Sequence, residues 1–348
     1  MAAVHSNDAQ AANRRPVDVL ITVDTEVWPR AVGWPHSPLP AEAKCEREIE
    51  CYFWGGESAT KLGLPFQLET LTALGLRATF FVDPLFSFAL GLPVLERVVK
   101  TIRDARHEVG LHLHPEWLTD PRMPFAHAFR GPYMRDYAEA VQFDLIGRSL
   151  DRLAAAGAPP VCSFRAGSWG ADTATLRALR RHGIRFDSSL NACYDASLAD
   201  LPARGELLQP AFVEGLWEFP LTHFIDRPPS GRRALQVCAC SFSELKRVLE
   251  AAYTQGWESV VIVTHSFEFV RMDNLDRKHA SVGPMRLLGR RFRALCRYLA
   301  EHRDRFRTVT FNELAPNVAT PPPQRRPVVS NRVRTAARSA SQLLSMIY

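Results

Sequence analysis

Val17-Asp18-Val19-Leu20-Ile21-Thr22-Val23-Asp24-Thr25-Glu26 is a β-branched run that gives way to two acids. β-Branched side chains favour extended backbone, and a short run with few polar residues reads as a buried strand of a parallel sheet. A second segment repeats the design. Glu108–Leu113 runs into His112-Leu113-His114-Pro115-Glu116, with polar groups at period two. Residues two apart on a strand point the same way, so Asp24 and Glu26 share one face, as do His112, His114 and Glu116. In barrels of parallel strands, catalytic groups stand at that strand end.

Outward from these two segments the chain alternates strand and helix. Further strands are expected at Arg77–Val82, Val161–Arg165, Ile184–Asp187, Leu216–Pro220, Leu235–Cys240, Ser259–Thr264 and Thr308–Phe311. Helices are expected at Leu64–Leu74, Pro93–Ala105, Tyr137–Ala155, Thr173–His182, Phe242–Gln255 and Met285–His302. This alternation predicts an α/β fold with a parallel sheet closed into a barrel. Two insertions are too long for ordinary connections. Val27–Thr60 holds Trp28, Trp34 and Trp54, and Trp117–Asp136 holds Phe125, Phe129 and Tyr133. Both read as rim loops, whose aromatic faces either hold sugar rings or pin down the loop itself.

The 348 residues are 46% hydrophobic, enough for a sizeable core. The net charge of +6 is uneven, because Arg325, Arg326, Arg332, Arg334 and Arg338 follow Pro316 with no acid among them. The rest is nearly neutral, which argues against nucleic-acid binding. The expected organisation is a disordered leader over 1–15, a catalytic domain over 16–315 and a Pro/Arg-rich flexible tail over 316–348. An amphipathic helix touching an anionic membrane surface is the other reading of the tail's end. Seven cysteines form no evident disulfide framework. With a polar N-terminus, they point to a reducing, cytoplasmic setting. No apolar run is long enough to span a membrane.

Three more predicted strands end in polar groups. Arg165, in Ser163-Phe164-Arg165-Ala166-Gly167-Ser168-Trp169, wants an anion, and Asp24 is the candidate. Asp187, before Ser188-Ser189, reads as a cap or turn residue as readily as a site residue. His265 closes Val260–Thr264 and is a candidate general acid or base. Two imidazoles at this spacing are costly to bury without partners, and with a carboxylate they suit a divalent metal such as zinc. His107, ahead of its strand, reads as solvated.

Taken together these segments resemble the polysaccharide deacetylase family of NodB-like carbohydrate esterases. Val23-Asp24-Thr25-Glu26 is similar to the family's first motif, and Ala78-Thr79-Phe80-Phe81-Val82 to its second-strand signature. Glu108–His112 resembles the approach to its histidine motif, Phe164-Arg165-Ala166 its arginine motif, Phe186–Ser189 its aspartate motif and Thr264-His265 its final histidine motif. The resemblance covers roughly 17–315, in the family's order. It implies a deformed (β/α) barrel of about seven parallel strands, a divalent metal, usually Zn2+, and removal of an acetyl group from an N-acetylated sugar or glycoconjugate. Carried over by position, Asp24 is the base, Glu26 and His112 are metal ligands, Arg165 orients the base and His265 is the general acid. Trp169 and Asp187 are the expected substrate-binding residues.

The chain departs from the family in three places. The family's second metal histidine lies four residues after the first, where this chain has Glu116, while His114 comes two after. On ligand type His114 is the expected third metal ligand, with Glu116 the alternative. Gly167 stands where the family often has Pro, and Glu26 where it commonly has Asp. Hydrolysis of another non-peptide C–N bond, of the cyclic ureide or imide type, is the alternative reaction. A non-catalytic carbohydrate-binding protein is the alternative from outside enzymes.

Overall fold

In the computed structural model, which describes residues 14–27, 49–56, 61–120, 122–123, 129–195, 197–198, 200–201, 207–227, 231–273, 281–314, 320–330 and 338, the run over 17–26 is the heart of the sheet. Strand β1 (Val17–Thr25) is buried along its whole length. It pairs in parallel with β10 (Ser259–His265), in register from Asp18 opposite Ser259 to Asp24 opposite His265. Its other edge pairs with β2 (Thr79–Val82) at the C-terminal half and with β13 (Phe306–Thr308) at the N-terminal half. From β2 the sheet runs through β3 (Glu108–Leu113), β4 (Ser163–Ala166), β5 (Phe186–Asp187), β7 (Leu216–Glu218) and β6 (Ala211–Val213). Only the last pair is antiparallel.

Parallel neighbours need crossovers, and helices supply them. These are α1 (Gly63–Ala73), α2 (Phe86–Leu90), α3 (Leu92–Asp104), α4 (Glu139–Ala155), α5 (Thr173–Arg181), α6 (Phe242–Gln255) and α7 (Arg286–Glu301). Their ends follow local chemistry. Ser241 and Glu244 form a capping box that opens α6, and Gly256 in the left-handed region closes it. Two hairpins lie off the barrel, β8 (His223–Arg227) with β9 (Gly231–Ala234), and β11 (Val270–Asp273) with β12 (Ser281–Pro284).

Irregular chain bridges the gap between β5 and β10. Phe219 N–H donates to Asp187 C=O at 2.8 Å, and Thr222 N–H donates to Val261 C=O at 3.4 Å. Val237 N–H reaches Val263 C=O at 2.9 Å. Leu235–Cys240, expected as a strand, therefore pairs only through its first residues. Cys240 N–H then turns back onto Gln236 C=O at 3.0 Å. The last strand likewise sits earlier than expected, because Thr310 and Glu313 form a capping box that starts a 3-10 turn at Phe311.

The alternation of strand side chains divides the core in two. Val19, Ile21 and Val23 face the helices with Leu71, Val98, Val99 and Leu295. Leu20, Phe81, Phe186, Val261 and Val263 fill the lumen with Phe219 and Phe311. At the C-terminal end the lumen-facing positions turn polar, and there Thr22 and Asp24, His112 and His114, Arg165 and His265 converge.

Residues 320–330, expected within the flexible tail, pack on the domain. Ile225 N–H donates to Val328 C=O at 2.8 Å, and Gln324 Oε1 accepts from Leu208 and Gln209 N–H. Arg338 is buried against Asp226 and Glu244. Residues 1–13 of the expected leader, and the rest of 331–348 with its expected amphipathic helix, lie outside the described residues. Among the described residues no helix is long and apolar enough to cross a membrane.

Candidate active site

Glu26, His112 and His114 offer one ligand atom each within 4.8 Å of one another, all three buried. Glu26 Oε2 lies 3.0 Å from His112 Nε2 and also contacts His114 Nε2. Both rings are fixed from behind. His112 Nδ1 donates to the Arg165 carbonyl at 2.7 Å, and His114 Nδ1 meets Glu116 Oε2 at 3.2 Å. A backbone carbonyl or carboxylate on one ring nitrogen leaves the other to bind a metal, so the donor set fits a borderline divalent ion such as zinc. Glu116 stands behind the ring rather than in front of it. The geometry therefore groups His114, not Glu116, with Glu26 and His112.

The electrostatics favour positive charge at this spot. Burial alone would raise the Glu26 carboxyl, but His114 and His112 outweigh it and hold it well below the usual range. Burial would lower His114, but Glu26 and Glu116 push it well above its ordinary value.

Arg165 is completely buried and fully partnered. It donates to Asp24 Oδ1 at 2.7 Å, Thr22 Oγ at 2.8 Å, and the carbonyl and hydroxyl of Ser188, each at 3.0 Å. The anion expected beside it is thus Asp24. The other oxygen, Asp24 Oδ2, faces His265 Nε2 at 3.8 Å, and Glu26 Oε1 is equally far from that nitrogen. His265 Nδ1 is held by Glu268 Oε1 at 2.9 Å. Burial opposes charge on this ring, but Glu268, Glu26 and Asp24 prevail and raise it to about 9. The imidazole is therefore protonated at neutral pH, with Nε2–H aimed into the pocket.

These groups line a pocket of about 190 Å³, walled by Trp169, Tyr194, Ser168 and Gln236. Ser168 and Trp169 both have positive φ, 49° and 60°. Left-handed backbone at non-glycine residues costs on the order of 1–3 kcal/mol each and is kept where the surroundings impose it. Here it turns the Trp169 ring over Arg165, 5.1 Å from the guanidinium, at the pocket wall.

Asp187 does not reach the pocket. It is opposite Phe164, whose side chain faces the helices, and so lies one residue out of phase with the lumen. Ser188, the next residue, is the one that turns inward to Arg165. Asp187 instead accepts from Ser189 Oγ at 2.7 Å and pairs with the carboxyl of Glu218, its neighbour across β5 and β7.

Three functional-looking residues escaped the sequence reading. Glu268 follows His265 by three residues in the turn after β10. Glu218 is the partner of Asp187. Asp83 directly follows β2 in the lumen-facing phase, and an acid closing a buried strand was the available signal. Leu85 N–H donates to its Oδ1 at 2.9 Å, its Oδ2 meets no hydrogen-bond partner among the described residues, and burial raises it to about 7 despite His114 and His112. His107, read as solvated, is buried beside Phe80 and pushed down to about 4 by that burial. Of the rim aromatics, Trp54 packs against Phe53 in the core, and Trp28, Trp34 and Phe125 lie outside the described residues.

No protein-family model matches this sequence, and no curated protein sequence matches it. Solved structures do match the fold. A candidate polysaccharide deacetylase from Mycobacterium smegmatis aligns with a TM-score of 0.51 at 17% identity, over 90% of this chain and 99% of that one. The 4-alpha-glucanotransferase from Thermococcus litoralis aligns with a TM-score of 0.53 at 12% identity, over 90% of this chain and 42% of that larger one. At these identities the likeness is one of fold. The deformed barrel expected from the motifs is the architecture found, and the motif residues Asp24, Glu26, His112, Arg165 and His265 stand together at one end of it.

Proposed function

We propose that this chain is a metal-dependent hydrolase that removes an acetyl group from an N-acetylated sugar or glycoconjugate. One observation carries the reading. A buried carboxylate with two imidazoles stands beside an Arg-held aspartate and a Glu-held histidine, all facing one pocket. When bound by Glu26, His112 and His114, a divalent ion such as Zn2+ would supply Lewis acidity toward water and the acetyl carbonyl.

The chain's own residues divide the rest. Asp24 takes the proton of the attacking water at Oδ2, its other oxygen being fixed by Arg165. The Arg165 carbonyl and Glu116 keep the two rings turned toward Glu26. His265 gives its Nε2 proton to the departing amine, a step an amide requires because its nitrogen leaves poorly unprotonated. Trp169 and Tyr194 offer flat faces to a sugar ring. The pocket is small, which suits a short acetamido-bearing portion of the substrate entering from the rim.

The test is acetate release from N-acetylglucosamine oligomers and glycoconjugates by zinc-loaded protein, with Asp24→Asn and His265→Ala alongside. Activity in the parent and its loss in both variants is expected. Undiminished turnover in either variant would remove that residue from its role. Ring opening of a cyclic ureide or imide to its open-chain acid, with no acetate from any sugar, would replace the substrate class.

A further inference from the structure

Helix α7 carries a second feature that the proposed reaction does not use. Its buried side is apolar, with Leu288, Phe292, Leu295, Cys296 and Leu299 against the barrel. Its other side presents Arg286, Arg290, Arg293 and Arg297, all exposed. The spacing of four, three and four places them in one row, about 16 Å long at the helical rise.

Among the described residues none of the four meets a carboxylate. Several other arginines do. Arg97 pairs with Glu50, Arg148 with Asp144, Arg177 with Glu139 and Arg307 with Asp18, all of them at least partly solvent-exposed. Like charges one turn apart on a helix repel, so an unrelieved row of this kind opposes helix formation. An external anion relieves it.

The row borders a pocket of about 270 Å³ with an apolar floor of Leu62, Phe66, Phe269 and Met285, and with Lys61 on its rim. No acid lines it. The Arg293 guanidinium lies over the Phe66 ring, 4.6 Å from its centre, which keeps charge and apolar surface side by side.

We propose that this face of α7 is a docking surface for an anionic phospholipid bilayer. The four arginines engage headgroup phosphates, and the adjoining pocket takes an apolar portion of the lipid. A single small anion would occupy only one or two of the arginines. A nucleic acid or acidic polymer would leave the apolar floor without a partner, whereas a lipid surface offers both chemistries together. The surface adjoins the active-site rim. Phe269 ends the turn that follows His265, and Gln67, next to Phe66, donates to the His265 carbonyl at 3.4 Å. The docking does not depend on the reaction proposed above.

The 348-residue chain would be co-sedimented with vesicles of phosphatidylcholine alone and of phosphatidylcholine with phosphatidylserine in equal parts. Binding to the anionic vesicles only, weakening as salt is raised, is expected. Replacing all four arginines by Gln should weaken that binding on the order of 100-fold or more, while replacing all four by Lys should preserve it. Both variants should keep the parent's circular dichroism and bound metal, which separates failure of this inference from failure of the hydrolase reading. Three results overturn the inference: no binding of the parent to anionic vesicles, binding insensitive to salt, or equal binding by the Gln variant. Tighter binding to soluble dextran sulfate than to the vesicles would transfer the surface to an acidic polymer. If the fourfold Gln variant does not fold, Arg290→Gln with Arg293→Gln takes its place, and binding by that variant equal to the parent's overturns the inference.

Discussion

Gly167 lies directly against the ring of His114. A Cβ at position 167 would stand 2.7 Å from both Cγ and Nδ1 of that imidazole, and 2.5 Å from the Leu113 carbonyl. Real Cβ atoms do not approach so closely. The glycine in the arginine motif and the histidine at the shortened spacing are therefore two halves of one arrangement. Glu26 belongs with them, because its carboxylate meets both His112 and His114. What reads in the sequence as three separate departures is, in space, one contiguous arrangement of Gly167, His114 and Glu26.

The first prediction follows from that contact. Gly167→Ala should push the His114 ring off its place between Glu26 and Glu116. Loss of an orienting contact to a ligand typically costs 10–100-fold in metal affinity, and a fall of about that size is expected. Competition with a chromophoric chelator measures it. Unchanged affinity would mean that His114 tolerates the added methyl and is not held by this packing.

Glu116 offers a second prediction. Behind His114 it acts as an acceptor for Nδ1–H. Glu116→Gln keeps an acceptor oxygen and should lower zinc affinity only slightly, whereas Glu116→Ala should lower it about as much as Gly167→Ala. His114→Ala should be worse than either. Equal loss from Glu116→Gln and His114→Ala would instead make the carboxylate a ligand.

The third prediction concerns Glu268. Its carboxylate is the largest influence raising His265, at 2.9 Å from Nδ1. A general acid works only while protonated, so the rate falls as pH rises through its pKa. Glu268→Gln should move that alkaline limb of kcat/KM to lower pH and reduce kcat, while metal content stays constant. An alkaline limb that does not move would show that another group supplies the proton.

Much of this was legible from residues two apart. Asp24, His112, Arg165 and His265 each stand at or near the end of a largely apolar strand, so the face of each side chain follows from period two, and the barrel follows from the alternation of strands with helices. Asp187 shows the limit of that logic. β5 has only two residues, too few to fix a phase, and the inward position belongs to Ser188. Asp83 was missed although it closes β2 as Asp24 nearly closes β1. Glu218 and Glu268 were invisible for a different reason. Each acts on a residue that another segment or turn brings near, and neither sits where a repeat would reveal it. The contact between Gly167 and His114 joins two strands' ends and exists only once β3 and β4 are paired.

The last prediction is acid lability without any active-site cause. His107 and His223 are buried, with no hydrogen-bond partner for Nδ1 of either among the described residues, and burial holds both near pH 4, well below the ordinary imidazole value. Between about pH 6.5 and 4 the unfolded chain binds a proton at each that the folded chain refuses. The share of stability set by these two histidines is then full above pH 6.5 and falls as pH drops through this window, by on the order of 2–3 kcal/mol for each, while the raised Asp83 carboxyl contributes with the opposite sign below pH 7. Chemical denaturation at pH 7.5 and pH 5 measures the difference. Replacing His107 by Gln, which does not titrate, should make the change in stability from pH 7.5 to pH 5 less unfavourable by about 2 kcal/mol, whatever it does to stability at pH 7.5. An identical pH dependence in that variant would show that His107 accepts its proton within the folded protein.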